Sequence, residues 1–126
     1  AGLDGTIPWE LSLLSDLVSL DLSHNALNGT IPIELGNLTA LFNFYIQSNR
    51  ITGTIPTELG KMTDVMLFYV YSNVLTGTIP TELGQLTAML RLDVSDNILR
   101  GKIPSELGLL PNMMTLNVSS NMLTGT

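Results

Sequence analysis

Hydrophobic and polar positions along the chain follow a pattern that repeats every 24 residues. The first full copy places apolar residues and one asparagine at fixed positions: Leu17, Leu20, Leu22, Asn25 and Leu27. Alternation of apolar and polar residues in the middle of the pattern predicts a short strand with one buried face. Because such a strand recurs once per repeat with a crossover between copies, we expect parallel strands stacked coil on coil.

Asparagine, proline and glutamate recur with the same spacing. The asparagines are Asn25, Asn49, Asn73, Asn97 and Asn121, and the prolines are Pro8, Pro32, Pro56, Pro80 and Pro104. We expect each asparagine amide to bond backbone groups of adjacent coils that the turn leaves unpaired. We expect each proline at the first position of a short convex helix, with a glutamate two residues later in its first turn. Leucines and one methionine are expected to add a core column behind these helices: Leu14, Leu38, Met62, Leu86 and Leu110.

These positions resemble the leucine-rich repeat family, whose pattern is L-x-x-L-x-L-x-x-N-x-L. The segment LTGTIPTELG, from Leu75 to Gly84, is similar to the plant-type subclass found in receptor-kinase ectodomains and polygalacturonase-inhibiting proteins. The resemblance implies an α/β fold, a right-handed leucine-rich-repeat solenoid with a parallel concave sheet and short helical or 3-10 turns on the convex side. It also implies recognition of a protein or peptide, without enzymatic activity, outside the cell or at its surface.

We expect one leucine-rich repeat domain over residues 1–126, with about five coils. Gly5 and Gly125 occupy the same repeat position, so the sequence starts and stops in one phase. Solenoids need polar caps, and related ectodomains usually carry caps that contain cysteine, whereas this chain has none. We therefore interpret the chain as an uncapped stretch of a longer array. The alternative is a short protein whose ends are covered by a partner.

Three tyrosines fall on solvent-facing strand positions of neighbouring coils. We expect Tyr45 and Tyr69 to stack, with Tyr71 two residues along. Tyrosine is enriched at binding hot spots because it buries a large area and keeps a polar group. The candidate partner-binding residues are Phe42, Tyr45, Tyr69, Tyr71, Arg91 and Asp93. The alternative is that aromatic pairs on an exposed sheet face stabilise strand pairing by themselves.

The second motif position is apolar in all five coils, whereas it is usually polar in the plant-type family. Its residues are Val18, Phe42, Met66, Leu90 and Met114. Two interpretations remain open: the side chains widen the core, or they form an apolar strip on the rim that marks a partner surface. The strip and the solenoid ends also support an alternative function, a structural subunit of a larger assembly.

A regular array of threonines raises a third hypothesis, ice binding. The array consists of Thr6, Thr30, Thr54, Thr78 and Thr126 in one column, with Thr52, Thr76 and Thr124 in another. Arg100 and Lys102 interrupt these columns, and T-G-x-I-P is ordinary sequence in the plant-type family. Three N-x-[ST] sequons, at Asn28, Asn37 and Asn117, are candidate glycosylation sites, with Asn37 the most suitable acceptor.

Composition and charge argue against several classes of partner and site. The 126 residues include 5 Lys+Arg and 11 Asp+Glu, a net charge of -6 that argues against nucleic acid as a partner. No apolar run approaches the ~18 residues of a membrane span, so no membrane insertion is expected. Cysteine is absent, which excludes disulfides and thiolate sites. The single histidine, His24, points away from Ser23 and Asp21 on a strand, so no catalytic triad is predicted. The sequence has no Walker-type loop, dinucleotide fingerprint or zinc-ligand spacing, so no metal site or cofactor is predicted.

Overall fold

The computed structural model describes residues 2–125, and every regular element in that range is short. Nine strands lie in this range: β1 (Asp4–Thr6), β2 (Ser19–Asp21), β3 (Ala26–Asn28), β4 (Asn43–Tyr45), β5 (Leu67–Tyr69), β6 (Arg91–Asp93), β7 (Arg100–Gly101), β8 (Thr115–Asn117) and β9 (Met122–Leu123). Five 3-10 helices accompany them: η1 (Trp9–Leu13), η2 (Ile33–Asn37), η3 (Thr57–Lys61), η4 (Thr81–Gln85) and η5 (Ser105–Leu109).

One parallel sheet carries five of the strands in the order β2-β4-β5-β6-β8. Equivalent repeat positions pair directly, as Leu20 with Phe44 and Phe44 with Phe68. This register is the 24-residue step of the sequence pattern, because sliding a strand by one residue would turn its apolar side chain to solvent. The structure thus confirms the predicted solenoid with a parallel sheet.

The hydrophobic core lies between the sheet and the 3-10 helices. Phe44 and Phe68 are fully buried on the inner face of the sheet, with ring centroids 5.1 Å apart. Leu35 and Leu59 reach the same core from η2 and η3. The expected column behind the helices is buried except at Leu14, which is 52% exposed. The prediction is wrong at Leu14, which has a neighbouring coil on one side only among residues 2–125, whereas Leu110 at the other end stays buried.

The asparagine ladder joins successive coils in the predicted way. The Asn73 Oδ1 accepts the N–H of Ile51 at 3.0 Å, from the preceding coil. Its Nδ2 donates to the carbonyl oxygens of Ile46 and Val70, both at 3.1 Å. Asn49, Asn97 and Asn121 repeat the same bonds in their own coils. Backbone groups that the turn would otherwise leave unpaired are thereby satisfied.

The prolines lie one residue earlier than expected. Pro56 has ψ of 137°, an extended conformation, and η3 begins at the following residue, Thr57. The Pro56 carbonyl accepts the first helical bond, from the N–H of Leu59 at 3.2 Å. The position suits proline because the extended residue before a helix accepts this bond and needs no N–H of its own. Glu58 lies in the first turn as predicted.

A second ladder of backbone bonds follows each strand of the main sheet. Near the two ends of the solenoid, this ladder forms two-stranded sheets, β1 with β3 and β7 with β9. Between them, the Arg50 N–H donates to Leu27 and the Val74 N–H donates to Ile51, at 2.8 and 2.9 Å. The sequence pattern does not predict this ladder, since its residues show no sustained alternation.

Candidate functional site

Aromatic side chains cluster on the solvent-facing surface of the main sheet. Tyr45 of β4 and Tyr69 of β5 are paired in register, and their rings stack with centroids 5.2 Å apart and planes at 26°. The Tyr71 ring packs against Tyr69 at 5.9 Å. All three side chains are half-buried, so each keeps part of its ring in solvent. We call these three residues the tyrosine patch, and their stacking confirms the predicted arrangement.

The environment of the patch raises the pKa of its first tyrosine, Tyr45, so that its phenol stays protonated to higher pH. Burial raises the pKa of Tyr45, and the neighbouring Tyr69 and Asp21 raise it further. A neutral phenol both donates and accepts a hydrogen bond. The patch can therefore offer an aromatic surface together with polar contacts, the combination that favours tyrosine at interfaces.

The repeat positions of the patch hold a different pair of residues in three other coils. The Asp21 Oδ1 accepts hydrogen bonds from the N–H and hydroxyl of Ser23. Asp93 makes the same two bonds with Ser95, and Asn117 makes them with Ser119. We call this the Asx-Ser unit. The unit was not predicted, although the spacing [DN]-x-S at the end of a strand is a recognisable sequence signal.

Comparison of the coils shows that the fold does not require tyrosine at these positions. The hydrogen bonds of the Asx-Ser unit lie within the unit itself. The strands that carry it, β2, β6 and β8, form parallel pairs in the same register as the strands that carry tyrosine. Only the second and third coils lack the Asx-Ser unit, and there its positions hold Tyr45, Tyr69 and Tyr71. An aromatic cluster confined to two coils therefore reflects a local property of this surface and not a demand of the repeat.

A shallow cavity of about 270 Å³ adjoins the tyrosine patch. It is lined by Tyr69, Tyr71, Arg91, Leu92, Asp93 and Thr115. Arg91 is exposed and Asp93 is half-buried, so a cation, a carboxylate and two aromatic rings border one space. Pockets for drug-sized ligands usually span ~300–1,000 Å³, so this cavity suits a single side chain of a larger partner.

A buried glutamine lies in the same concave column as Tyr71. Gln47 is 7% exposed, and its Oε1 is buried without a hydrogen-bond partner among residues 2–125. A buried polar atom without a partner costs about 1–3 kcal/mol, so native structures rarely keep one without a reason. The sequence pattern does not predict that Gln47 is buried, because its burial depends on the neighbouring coils.

The apolar column at the second motif position lies at the surface. Val18 is 51% exposed, Phe42 46%, Met66 37% and Met114 73%, whereas Leu90 is half-buried. Of the two interpretations left open by the sequence, this exposure favours the strip on the rim. Phe42 comes directly before β4, so the structure places it in this apolar strip and not in the tyrosine patch.

The three sequons differ in exposure. Asn37 ends η2 on the convex side and is exposed, and Asn28 ends β3 and is also exposed. Asn117 is half-buried within the main sheet, where its Oδ1 accepts two hydrogen bonds from Ser119. A glycan therefore has more room at Asn37 and Asn28 than at Asn117.

The threonine columns have structural contacts of their own. Hydroxyl groups of Thr52 and Thr76 donate to the carbonyl oxygens of Gly29 and Gly53, both at 3.3 Å. In the other column, the Thr30 Cγ2 lies 2.8 Å from where a Cβ on Gly53 would stand. Thr126, the last predicted member of this column, lies outside the described residues. Thr30, Thr52 and Thr76 thus contact the neighbouring coil within the solenoid itself.

Within residues 2–125, no group of three or more His, Asp or Glu side chains could hold a metal ion. No helix in the same range is both long and apolar enough to cross a membrane.

Comparison with known proteins places the chain among repeat proteins. A family model described as Leucine Rich Repeat matches residues 16–38, 40–62 and 89–110. No curated protein matches the chain by sequence.

Solved structures of plant receptors share the fold. The plant peptide hormone receptor RGFR1, in complex with RGF2, is 41% identical with a TM-score of 0.96, over 97% of this chain and 20% of that chain. The ectodomain of the receptor kinase GASSHO1/SCHENGEN3 from Arabidopsis thaliana, in complex with CASPARIAN STRIP INTEGRITY FACTOR 2, is 39% identical with a TM-score of 0.95. That match covers 97% of this chain and 15% of that chain. The ectodomain of the receptor kinase SOBIR1 from Arabidopsis thaliana is 30% identical with a TM-score of 0.92, and the match covers 98% of this chain and 68% of that chain. The chain thus spans a fifth or less of the first two receptors.

Proposed function

Because the chain belongs to the leucine-rich repeat family, we propose that it is a recognition module without enzymatic activity that binds a peptide or protein partner on its concave sheet. The similar receptors RGFR1 and GASSHO1/SCHENGEN3 are each in complex with a partner, RGF2 and CASPARIAN STRIP INTEGRITY FACTOR 2. A preformed sheet suits this task, since a rigid surface loses little ordering entropy on binding.

The tyrosine patch is the observation that carries this proposal. It is a cluster of half-exposed aromatic rings that the repeat itself does not need, because other coils form the sheet with the Asx-Ser unit. Arg91 and Asp93 border the adjoining cavity and add one charge of each sign. We assign partner contact to Tyr45, Tyr69, Tyr71, Arg91 and Asp93, with Phe42 in the neighbouring apolar strip.

The proposal is tested by replacing the tyrosine patch with the Asx-Ser unit of the last coil. The variant combines Tyr45→Asn and Gln47→Ser with Tyr69→Asn and Tyr71→Ser, which copies the pair Asn117 and Ser119. Peptides would be selected on the native chain from a phage-displayed library, and their affinities measured by calorimetry. We expect at least a tenfold loss of affinity, since hot-spot aromatics contribute ~2 kcal/mol or more.

Two controls separate recognition from folding in this experiment. The variant should keep the circular dichroism spectrum and the denaturation midpoint of a folded solenoid, because it introduces only pairs that the fold already accepts. Thr54→Ala, an exposed change away from the main sheet, should leave affinity unchanged. A library without binders, or binders that tolerate the patch variant, would contradict the proposal.

A second candidate function, assembly through the apolar strip, is favoured by the exposure of its side chains. Phe42 and Met114 are 46% and 73% exposed, and contiguous apolar surface marks sites of association. Sedimentation velocity at high concentration separates the two functions. An oligomer that Phe42→Thr disperses supports assembly, whereas a monomer supports recognition of a different molecule.

We further propose an extracellular or cell-surface setting, in keeping with the similar receptor ectodomains. In that setting Asn37 is the foremost candidate for a glycan, because it is exposed and lies on the side away from the main sheet. Asn28 is a second exposed acceptor, and Asn117 is the least accessible of the three.

A further inference from the structure

Resting on the proposed function, we propose that the partner is an extended peptide segment with two basic side chains four residues apart and an apolar side chain midway between them. The register of the main sheet aligns four residues of successive coils in one row: Asp21, Tyr45, Tyr69 and Asp93. The row presents a carboxylate, two stacked aromatic rings and a second carboxylate, in that order. A ligand that complements the row therefore carries positive charge at both ends and apolar surface in the middle.

The length of the row sets the spacing of the two basic residues. Neighbouring strands lie ~4.8 Å apart, so Asp21 and Asp93, separated by three such steps, are about 14 Å apart. An extended chain advances ~3.3–3.6 Å per residue, so four residues span the same distance. Side chains of an extended chain alternate between two faces, so the first, third and fifth point to the sheet together. The third then lies over Tyr45 and Tyr69 while the outer two reach the carboxylates.

Both carboxylates are held in place by bonds to one of their oxygens. The Oδ1 atoms of Asp21 and Asp93 accept the hydroxyl groups of Ser23 and Ser95. The Oδ2 of Asp93 has a long contact, at 3.5 Å, with the side-chain amide of Asn117. The bonds from Ser23 also lower the pKa of Asp21, which keeps this exposed carboxylate ionised to lower pH. A carboxylate oriented in this way suits a charge-assisted hydrogen bond from Lys or Arg.

The cavity of about 270 Å³ offers space for one of the basic side chains. Tyr69, Tyr71 and Asp93 all contribute to its lining. Lysine and arginine pack their aliphatic stems on apolar surface, and a cation over a tyrosine ring gains further attraction. Arg91 supplies the single positive charge of the lining, and its guanidinium can donate to a carbonyl oxygen of the peptide backbone. The cavity thus provides contacts for the stem, the charge and the main chain of the ligand.

The charge of the whole chain and the depth of the site favour the same ligand. A net charge of -6 attracts cationic partners and repels acidic ones. A helical peptide, ~10–12 Å across, would lie above the shallow cavity, whereas an extended one lowers alternate side chains into it. The two conformations are distinguishable, because a helix rises ~1.5 Å per residue and needs basic residues about nine apart to span the row.

The first test uses the sequences of peptides selected on the native chain. We expect binders that depend on the tyrosine patch to share two Lys or Arg residues four apart, with an apolar or aromatic residue midway. Synthetic peptides with acetylated and amidated ends then give affinities by calorimetry without terminal charges. A peptide of the same composition with its two basic residues adjacent should bind about fivefold more weakly, because only one of them reaches a carboxylate.

The chain itself supplies variants that remove each carboxylate without removing its local bonds. Asp21→Asn and Asp93→Asn keep the Asx-Ser unit, because Asn117 already makes the same two bonds with Ser119. We expect each variant to bind the peptide about fivefold more weakly at low salt, the upper range for an exposed ion pair. The loss should shrink at high salt. Glu34→Gln removes one charge from the convex side, so it is the matched control and should leave affinity unchanged.

Double-mutant cycles assign each basic residue to its aspartate. Replacing one basic residue of the peptide by methionine should abolish the effect of one aspartate substitution and leave the effect of the other. Binders that need the tyrosine patch but lack this spacing, or that respond equally to Asp21→Asn and Glu34→Gln, would overturn the extended dibasic ligand and leave the proposed function standing. Basic residues about nine apart would assign the row to a helical peptide instead. A library without binders would contradict both.

Discussion

At the scale of single residues, the ends of the main strands combine local hydrogen bonds with an unusual backbone conformation. The residue before each ladder asparagine has positive φ, including His24 at 57° and Asp96 at 54°. This conformation is uncommon for residues other than glycine, and here it orients N–H groups toward the next coil, as His24 toward the Gln47 carbonyl at 3.0 Å. The sequence carries only a partial signal for it, because histidine and aspartate are enriched at positive φ, whereas serine, which holds three of the five positions, is not.

The pKa of Asp21 provides a prediction at this scale. Hydrogen bonds from the hydroxyl and N–H of Ser23 lower this pKa below its usual value. Because the folded pKa lies below the unfolded one, the stabilisation is present above the unfolded value and is lost as pH falls through the folded value. We expect Ser23→Ala to raise the Asp21 pKa and to reduce the acid dependence of stability, as measured by NMR titration and urea denaturation. An unchanged Asp21 pKa in the variant would contradict this assignment.

At the scale of elements, the sequence predicted the parts that depend on periodicity. Alternation around Phe44 and Phe68 indicated the strands, and the 24-residue step gave their parallel register. The second ladder and the position of Pro56 were not predicted. Both depend on backbone groups of neighbouring coils, as in the bond from Arg50 to Leu27, and side-chain patterns do not report them.

The asparagine ladder allows a sharp test of what holds these elements together. Asn73→Ala removes bonds to Ile51, Ile46 and Val70 and leaves backbone groups unpaired in the interior. We expect a loss of about 3 kcal/mol in the free energy of unfolding, measured by urea denaturation, because buried groups without partners cost ~1–3 kcal/mol.

An exposed asparagine serves as the control for this prediction. Asn112 donates one bond, to the Thr87 carbonyl at 3.2 Å, and is exposed to water. Asn112→Ala should therefore change stability by no more than about 0.5 kcal/mol. Similar losses for Asn73→Ala and Asn112→Ala would mean that the ladder does not stabilise the solenoid through burial.

At the scale of the whole molecule, the solenoid separates its surface into sides with different chemistry. Periodicity alone placed Tyr45 and Tyr69 together on the concave sheet, since one repeat is one coil. Periodicity could not predict that the apolar strip is exposed or that Gln47 is buried, because both depend on side-chain packing between coils. It did single out Asn37 as the most suitable glycan acceptor, and Asn37 is exposed at the end of η2.

This separation predicts which sequon carries a glycan when the chain is secreted from eukaryotic cells. Asn37 is exposed at the end of η2, so a glycan there extends into solvent, whereas one on Asn117 would crowd the last concave strand. We expect glycopeptide mapping to find Asn37 occupied and Asn117 largely unmodified. Thr39→Ala, which removes the sequon but keeps Asn37, should abolish that modification and leave peptide binding to the tyrosine patch unchanged. Occupancy at Asn117 without Asn37, or binding that depends on the Asn37 glycan, would contradict the division of surfaces between recognition and glycosylation.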